Sequence, residues 1–302
     1  MARPAGAPPM GTNRSTSASG AGSREAPAPA GPAEVMPLPA AETHLWSARP
    51  AAFDAAHLVR LRAMLTDEER ARTDCFRLAR DRRISLVTRA LVRITLSRYC
   101  DVPPARWRFR TNDHGRPEIA SPASALRFNV SHTDGLVVCL VGRARALGVD
   151  VETLRRQRRW LDLAERFFAP AEARALSEVP AARLALRFLE YWTLKESYVK
   201  ARGRGLTLPL SGFWFDLPIP TRDGIRIRFT PAVEDDPARW QFSLDRLGAD
   251  HVVATAIDRA GAARVRIARY EAVPRRDVGS SGAPPTVGRM VLDAGTGPES
   301  GP

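Results

Sequence analysis

The chain has 302 residues, 44% of them hydrophobic and 26% charged, with a formal net charge of +13 and a pI near 11.0. That length allows one or two domains with ample chain for a core, and the composition is that of a soluble globular protein. The longest apolar run, Leu136 to Val141, is far shorter than the roughly 20 residues a membrane helix needs, and MARPAGAPPM lacks the apolar stretch of a signal peptide.

In chain order, residues 1–40 are rich in Ala, Pro, Gly and Ser and are expected to be a disordered tail, because they carry too little apolar surface to offset the entropy of ordering. A helical stretch follows from Thr66 to about Tyr99, broken near Leu78, with Leu86, Ala90, Leu91 and Ile94 at helical spacing. Short strands are expected at Trp107–Arg110, Phe128–Val130, Leu136–Val141 and Leu147–Glu152. A second long helix spans Ala181 to Ala201 and stops at Gly203. Strands then recur at Phe213–Leu217, Ile225–Phe229, Trp240–Leu244 and His251–Ile257, and residues 274–302 read as a second disordered tail. Each long helix is preceded by a shorter candidate helix, TDEERAR or LDLAERFF. The order helix-then-strands occurs twice, which predicts an α+β fold of two similar halves, residues 41–146 and 147–273, with antiparallel sheets.

The tails carry almost no net charge, so the positive charge belongs to the folded middle and calls for an anionic partner: nucleic acid, a phosphorylated small molecule or an acidic protein. Cys75, Cys100 and Cys139 are scattered and odd in number, fitting a reducing cytoplasm better than a disulfide framework or zinc site. The histidines at 44, 57, 114 and 251 show no metal-ligand spacing, and neither GxxxxGK nor a strand-borne GxGxxG is present.

Three segments carry candidate chemistry. In LGVDVE, alternation puts Asp150 and Glu152 on one strand face, where two carboxylates either hold a hard cation such as Mg²⁺ or pair with nearby arginines. In WTLKESYVK, Trp192, Glu196 and Lys200 share a helix face, with Lys195 beside it. These are the only two lysines among 46 basic residues. A surface ion pair at Glu196–Lys200 would accept arginine, whereas a role that needs a compact, titratable ammonium would not. In RFNVSHTDG, Ser131 and His132 are adjacent and diverge, so a hydrolase triad is unsupported; the alternatives are a phosphate-holding strand end and a simple turn.

The succession HGRP, FNVSHT, GVDVE and WTLKESYVKARGRGL resembles the Sfp-type 4′-phosphopantetheinyl transferases over about residues 45–260. The resemblance implies Mg²⁺-dependent transfer of the phosphopantetheine arm of coenzyme A to a serine of an acyl or peptidyl carrier protein, releasing adenosine 3′,5′-bisphosphate. It also implies an active site between the two halves. Asp150, Glu152 and Glu196 would hold the metal, with Glu196 also the base and Lys200 acting on the phosphate; Asn129, Ser131, His132, Arg72, Arg110 and Arg116 would bind coenzyme A. Arg116 stands where the family usually has Lys, and Glu69 where some members carry a basic residue. A cytoplasmic monomer is expected, with no membrane or nucleic-acid partner. The competing readings are a metal-dependent nuclease, built from Asp-x-Glu with a later Glu and Lys, and a basic nucleic-acid-binding protein.

Overall fold

The computed structural model describes residues 35–155, 158–217 and 224–274. The expected tails lie outside this set, apart from residues 35–40 and 274. The first half contains strand β1 (Glu42–Ala48), helices α1 (Ala55–Ala63), α2 (Asp67–Asp74) and α3 (Ala79–Ser97), hairpin β2 (Arg108–Thr111)–β3 (Pro117–Ser121) and hairpin β4 (Leu126–Thr133)–β5 (Leu136–Arg143). The second half repeats that order. It has β6 (Leu147–Thr153), α4 (Trp160–Phe167), α5 (Pro170–Ser177), α6 (Ala181–Arg202), hairpin β7 (Phe213–Asp216)–β8 (Arg226–Phe229) and hairpin β9 (Trp240–Leu247)–β10 (His251–Asp258). A last strand, β11 (Arg266–Glu271), follows.

The two main sheets have matching strand orders, β1-β5-β4 and β6-β10-β9, all antiparallel. β11 adds to the first sheet by pairing in parallel with β1, with Glu42 opposite Arg266 and Ser47 opposite Glu271. The division expected at residues 146/147 therefore does not hold for the final strand, whose backbone partners lie in the first half.

Alternation along the strands builds three apolar layers. On β5, Val137, Cys139 and Val141 pack in the cluster that holds α3, whereas Leu136, Val138 and Leu140 join Leu147, Val149 and Val151 of β6 and Val253 and Ile257 of β10. Val252, Ala254 and Ala256 of β10 turn the other way, into the cluster that holds α6. The sheets therefore share one apolar layer, and each carries its long helix on the far side. At roughly 25 cal/mol per Å² of apolar surface removed from water, these layers are the main favourable contribution to the fold.

Local chemistry sets the helix limits. Thr66 caps α2 through Glu69 N (3.2 Å), while the Glu69 carboxylate accepts from Thr66 N (3.0 Å), so two end donors are satisfied reciprocally. The expected break near Leu78 falls between α2 and α3, and Leu78 takes the extended conformation just before α3. α6 ends at Gly203, whose φ of 64° is the left-handed conformation that favours glycine.

Candidate active site between the halves

β6 presents Gly148, Asp150 and Glu152 to α6, and α6 answers with Glu196 and Lys200 one turn apart. Gly148 sets the spacing: a Cβ there would lie 2.0 Å from Ser197 O and 2.5 Å from Ala201 N, so only glycine lets the strand backbone approach the helix backbone this closely. Asp150 is 5% exposed. Lys200 Nζ donates to Asp150 Oδ1 at 2.6 Å and to Ser131 Oγ at 2.9 Å, and Ser131 Oγ donates to the same Asp150 oxygen at 2.9 Å. Ser131 comes from β4, in the first half, so this three-membered network joins both halves. The strand face carrying Asp150 is thus buried under α6, and its cation is Lys200 rather than a surface arginine.

Lys195 sits on another side of α6 and is fully buried. Its three ammonium hydrogens meet three acceptors: Glu172 on α5 (2.7 Å), Leu210 O (2.7 Å) and Phe213 O (2.5 Å). The ammonium also lies 4.4 Å from the Phe213 ring centroid. Burial pushes its pKa down to about 8 from 10.5, against the opposing pull of Glu172. The two lysines therefore have different reasons to be lysine, and only Lys200 belongs to the site.

The other expected residues divide. Asn129 is buried and its Oδ1 accepts from Val149 N (2.9 Å), so it ties β4 to β6. Arg116 turns onto the end of α6, donating to the carbonyls of Lys200 (3.2 Å), Ala201 (3.0 Å) and Leu147 (3.4 Å). Both were expected to bind coenzyme A, and in this structure both side chains bond within the protein where the halves meet. His132 points to the α3 side of β4, opposite Ser131. Arg72 is exposed and paired with Glu68 (2.7 Å), and Arg110 is exposed, 3.7 Å from Glu118. Glu69, at the position of a basic residue in some relatives, pairs with buried Arg93 at 2.6 Å.

Residues 146–256 match the 4′-phosphopantetheinyl transferase superfamily, and residues 45–144 match the family described as 4′-phosphopantetheinyl transferase, N-terminal. The chain is 35% identical over 226 residues to 4′-phosphopantetheinyl transferase HetI of Nostoc sp., covering 73% of this chain and 88% of that protein. It is 32% identical over 260 residues to a phosphopantetheinyl transferase of Thraustochytrium sp., covering 80% and 88%. Against 4′-phosphopantetheinyl transferase Sfp of Bacillus subtilis it is 30% identical over 154 residues, covering 51% and 67%. The chain belongs to the 4′-phosphopantetheinyl transferase superfamily.

As a phosphopantetheinyl transferase, the enzyme carries its perturbed groups at the seam. Glu196 is half-buried, and its carboxyl pKa is raised by burial, with the negative charges of Asp150 and Glu152 adding to the rise and Lys200 opposing it. His132 is exposed at its rim, yet surrounding protein lowers its pKa by desolvation, and the cations of Lys200 and Arg89 lower it further. Arg89 was not singled out from sequence. It lies half-buried on α3, donates to Ser85 Oγ (2.5 Å), and forms no ion pair among the described residues. One helical turn separates it from Ser85, but that signal is indistinguishable from many Arg positions in an arginine-rich chain.

The donor set suits a hard cation in chemistry: three carboxylates in one neighbourhood, with Asp150 Oδ2 buried and lacking a hydrogen-bond partner. Among the described residues, however, no three such side chains converge closely enough to form a ready-made metal cluster. Lys200 supplies the positive charge at Asp150. No helix among the described residues is long and apolar enough to cross a membrane.

Proposed function

We propose that this transferase moves the 4′-phosphopantetheine group of coenzyme A onto a serine hydroxyl of an acyl or peptidyl carrier protein and releases adenosine 3′,5′-bisphosphate. The observation that carries the reading is the Lys200 ammonium shared between Asp150 and Ser131, with Glu196 one helical turn away, at the meeting of the two halves. A pyrophosphate placed there meets cationic charge where its leaving oxygen becomes negative.

In this reading Glu196 removes the proton from the carrier serine. The serine oxygen bonds to the phosphorus that bears the pantetheine arm. The bond from that phosphorus to the bridging oxygen breaks, and the oxygen leaves as the 5′-phosphate of adenosine 3′,5′-bisphosphate, beside the Lys200 ammonium. Asp150, Glu152 and Glu196 would hold Mg²⁺, which when bound neutralises pyrophosphate charge. Ser131, beside Lys200, and His132, Arg72 and Arg110 of the first half would bind the coenzyme's phosphates, with Arg89 near His132 adding positive charge. The net charge of +13 favours encounter with polyanionic coenzyme A and with an acidic carrier. In this reading the enzyme acts as a monomer in the cytoplasm.

The test is incubation with coenzyme A, Mg²⁺ and a panel of apo carriers, read by intact mass. At least one carrier should gain one phosphopantetheine group on serine. Unchanged carrier masses across the panel, accompanied by cleavage of added DNA, would replace the reading with a nuclease.

A further inference from the structure

The turn between β2 and β3 reaches across to the end of α6 and is built for that contact. Asn112 Oδ1 accepts from His114 N (3.0 Å) and Arg116 N (2.9 Å), which closes the turn, and Asn112 Nδ2 donates to Gly203 O (3.2 Å). Gly115 takes a φ of 80° at the tip. The guanidinium of Arg116 then contacts two elements at once: the carbonyls of Lys200 and Ala201 in the last turn of α6, and the carbonyl of Leu147 at the start of β6. The last carbonyls of a helix have no i+4 donor within it; Gly203 N caps Lys200 O at 3.2 Å, Arg116 adds to it and reaches Ala201 O, and a cation there also meets the negative end of the helix dipole. Gly203 leaves room for the fork, since a Cβ at 203 would stand 3.3 Å from Arg116 Nη1.

The elements joined in this way are the two that carry the site. Lys200 itself offers one of the bonded carbonyls, and Leu147 is three residues before Asp150. We propose that Arg116 is a positioning residue, fixing the end of α6 against the start of β6 so that the Lys200 ammonium is held on Asp150, and that it does not grip the coenzyme. The planar fork of Arg116 reaches carbonyls on two elements from two separate nitrogens, whereas a lysine here would bring one ammonium on a shorter stem. The proposal rests on the transfer reading for its kinetic consequence and on geometry alone for its structural one.

The experiment compares Arg116→Lys and Arg116→Gln with the full wild-type chain in two readouts. In steady-state transfer, both variants should lose about tenfold in kcat, a 1.4 kcal/mol change in barrier, with KM for coenzyme A within about twofold of wild type. In hydrogen exchange, peptides covering residues 197–204 should exchange about tenfold faster in both variants, while peptides of α3 stay unchanged and certify the fold. A lysine variant that restores kcat, together with a glutamine variant whose KM for coenzyme A rises about tenfold, would make Arg116 a phosphate ligand and overturn the proposal. Unchanged exchange at 197–204 would overturn it as well. Should the wild-type chain modify no carrier, the transfer reading falls, and the exchange readout still decides the clamp.

Discussion

The two halves solve the same packing problem with the same device and then part company. Glu69 and Glu172 are each the third residue of a short helix, and Arg93 and Lys195 each the fifteenth residue of a long one. Each carboxylate accepts from the backbone N–H at the start of its own helix and pairs with the buried cation, at 2.6 Å in the first half and 2.7 Å in the second. Each cation directs its remaining hydrogens to carbonyls of the segment that follows, Pro104 and Trp107 for Arg93, Leu210 and Phe213 for Lys195. An aromatic ring backs both, Phe109 at 5.2 Å and Phe213 at 4.4 Å. These ion pairs belong to the scaffold.

Position by position, the strand under each long helix differs. Asp150 lies opposite Ala254, the fourth residue of β10, and its counterpart opposite the fourth residue of β5 is Trp46. By the same register His44 corresponds to Gly148. In the first half the indole and imidazole fill the space under α3 and both bond to the hydroxyl of Tyr99. In the second half Gly148 draws the backbones together, and the space beyond it goes to a carboxylate and an ammonium. Ile94 stands where the second half has Glu196. One half is thus a packed support, and the other has exchanged apolar filling for ionisable groups.

The sharpest way to break this contrast is a matched pair of truncations. Asp150→Ala should abolish detectable carrier modification with the fold kept. Trp46→Ala should lower unfolding free energy by about 3–5 kcal/mol, with turnover per folded molecule retained. If Trp46→Ala, still folded, is as inactive as Asp150→Ala, chemistry is not confined to the second half. Next in size, Arg93→Ala and Lys195→Ala should each cost about 3–5 kcal/mol, because each empties a buried site and leaves a carboxylate, part-buried at Glu69 and buried at Glu172, without its cation. Urea midpoints that fall for one and not the other would deny that the pairs are equivalent.

Lys200→Arg sharpens the contrast within α6. Turnover should fall about a hundredfold with little change in melting temperature, since a larger, planar guanidinium does not fit the compact Asp150–Ser131 site. Lys195→Arg should do the reverse, lowering stability through overpacking while leaving the turnover of folded molecules intact. Equal turnover losses in the two variants would contradict the separation of roles. The smallest effect belongs to the surface: Glu68→Gln removes the exposed pair with Arg72 and should shift stability by no more than about 0.5 kcal/mol in chemical denaturation.

Periodicity made both long helices legible, together with the break at Leu78 and the stop at Gly203, because those signals are local. It also placed eight strands within a few residues. β1 escaped because it is buried along nearly its whole length, so no polar alternation marks it. α5 escaped too, and with it Glu172, the partner that explains Lys195. From sequence, position 195 lay only beside the Glu196–Lys200 face, and the structure makes it a buried structural ion. Of the two roles open to Lys200, surface partner of Glu196 or functional ammonium, the structure pairs it with Asp150, 50 residues earlier. Arg116 and Asn129 carried the right motif but acquire internal partners that only the docking of the halves supplies.

The pairing of β11 with β1 bears on how the protein is made. Ribosomes deliver the first half complete in sequence except for residues 266–271, so β1 waits with one row of backbone groups unpaired while more than 200 further residues are synthesised. During that interval the nascent chain exposes an open strand edge, a template for intermolecular association. Among the described residues the earliest strand is fastened by the latest, so slower synthesis of the second half is expected to lengthen the exposure of that edge.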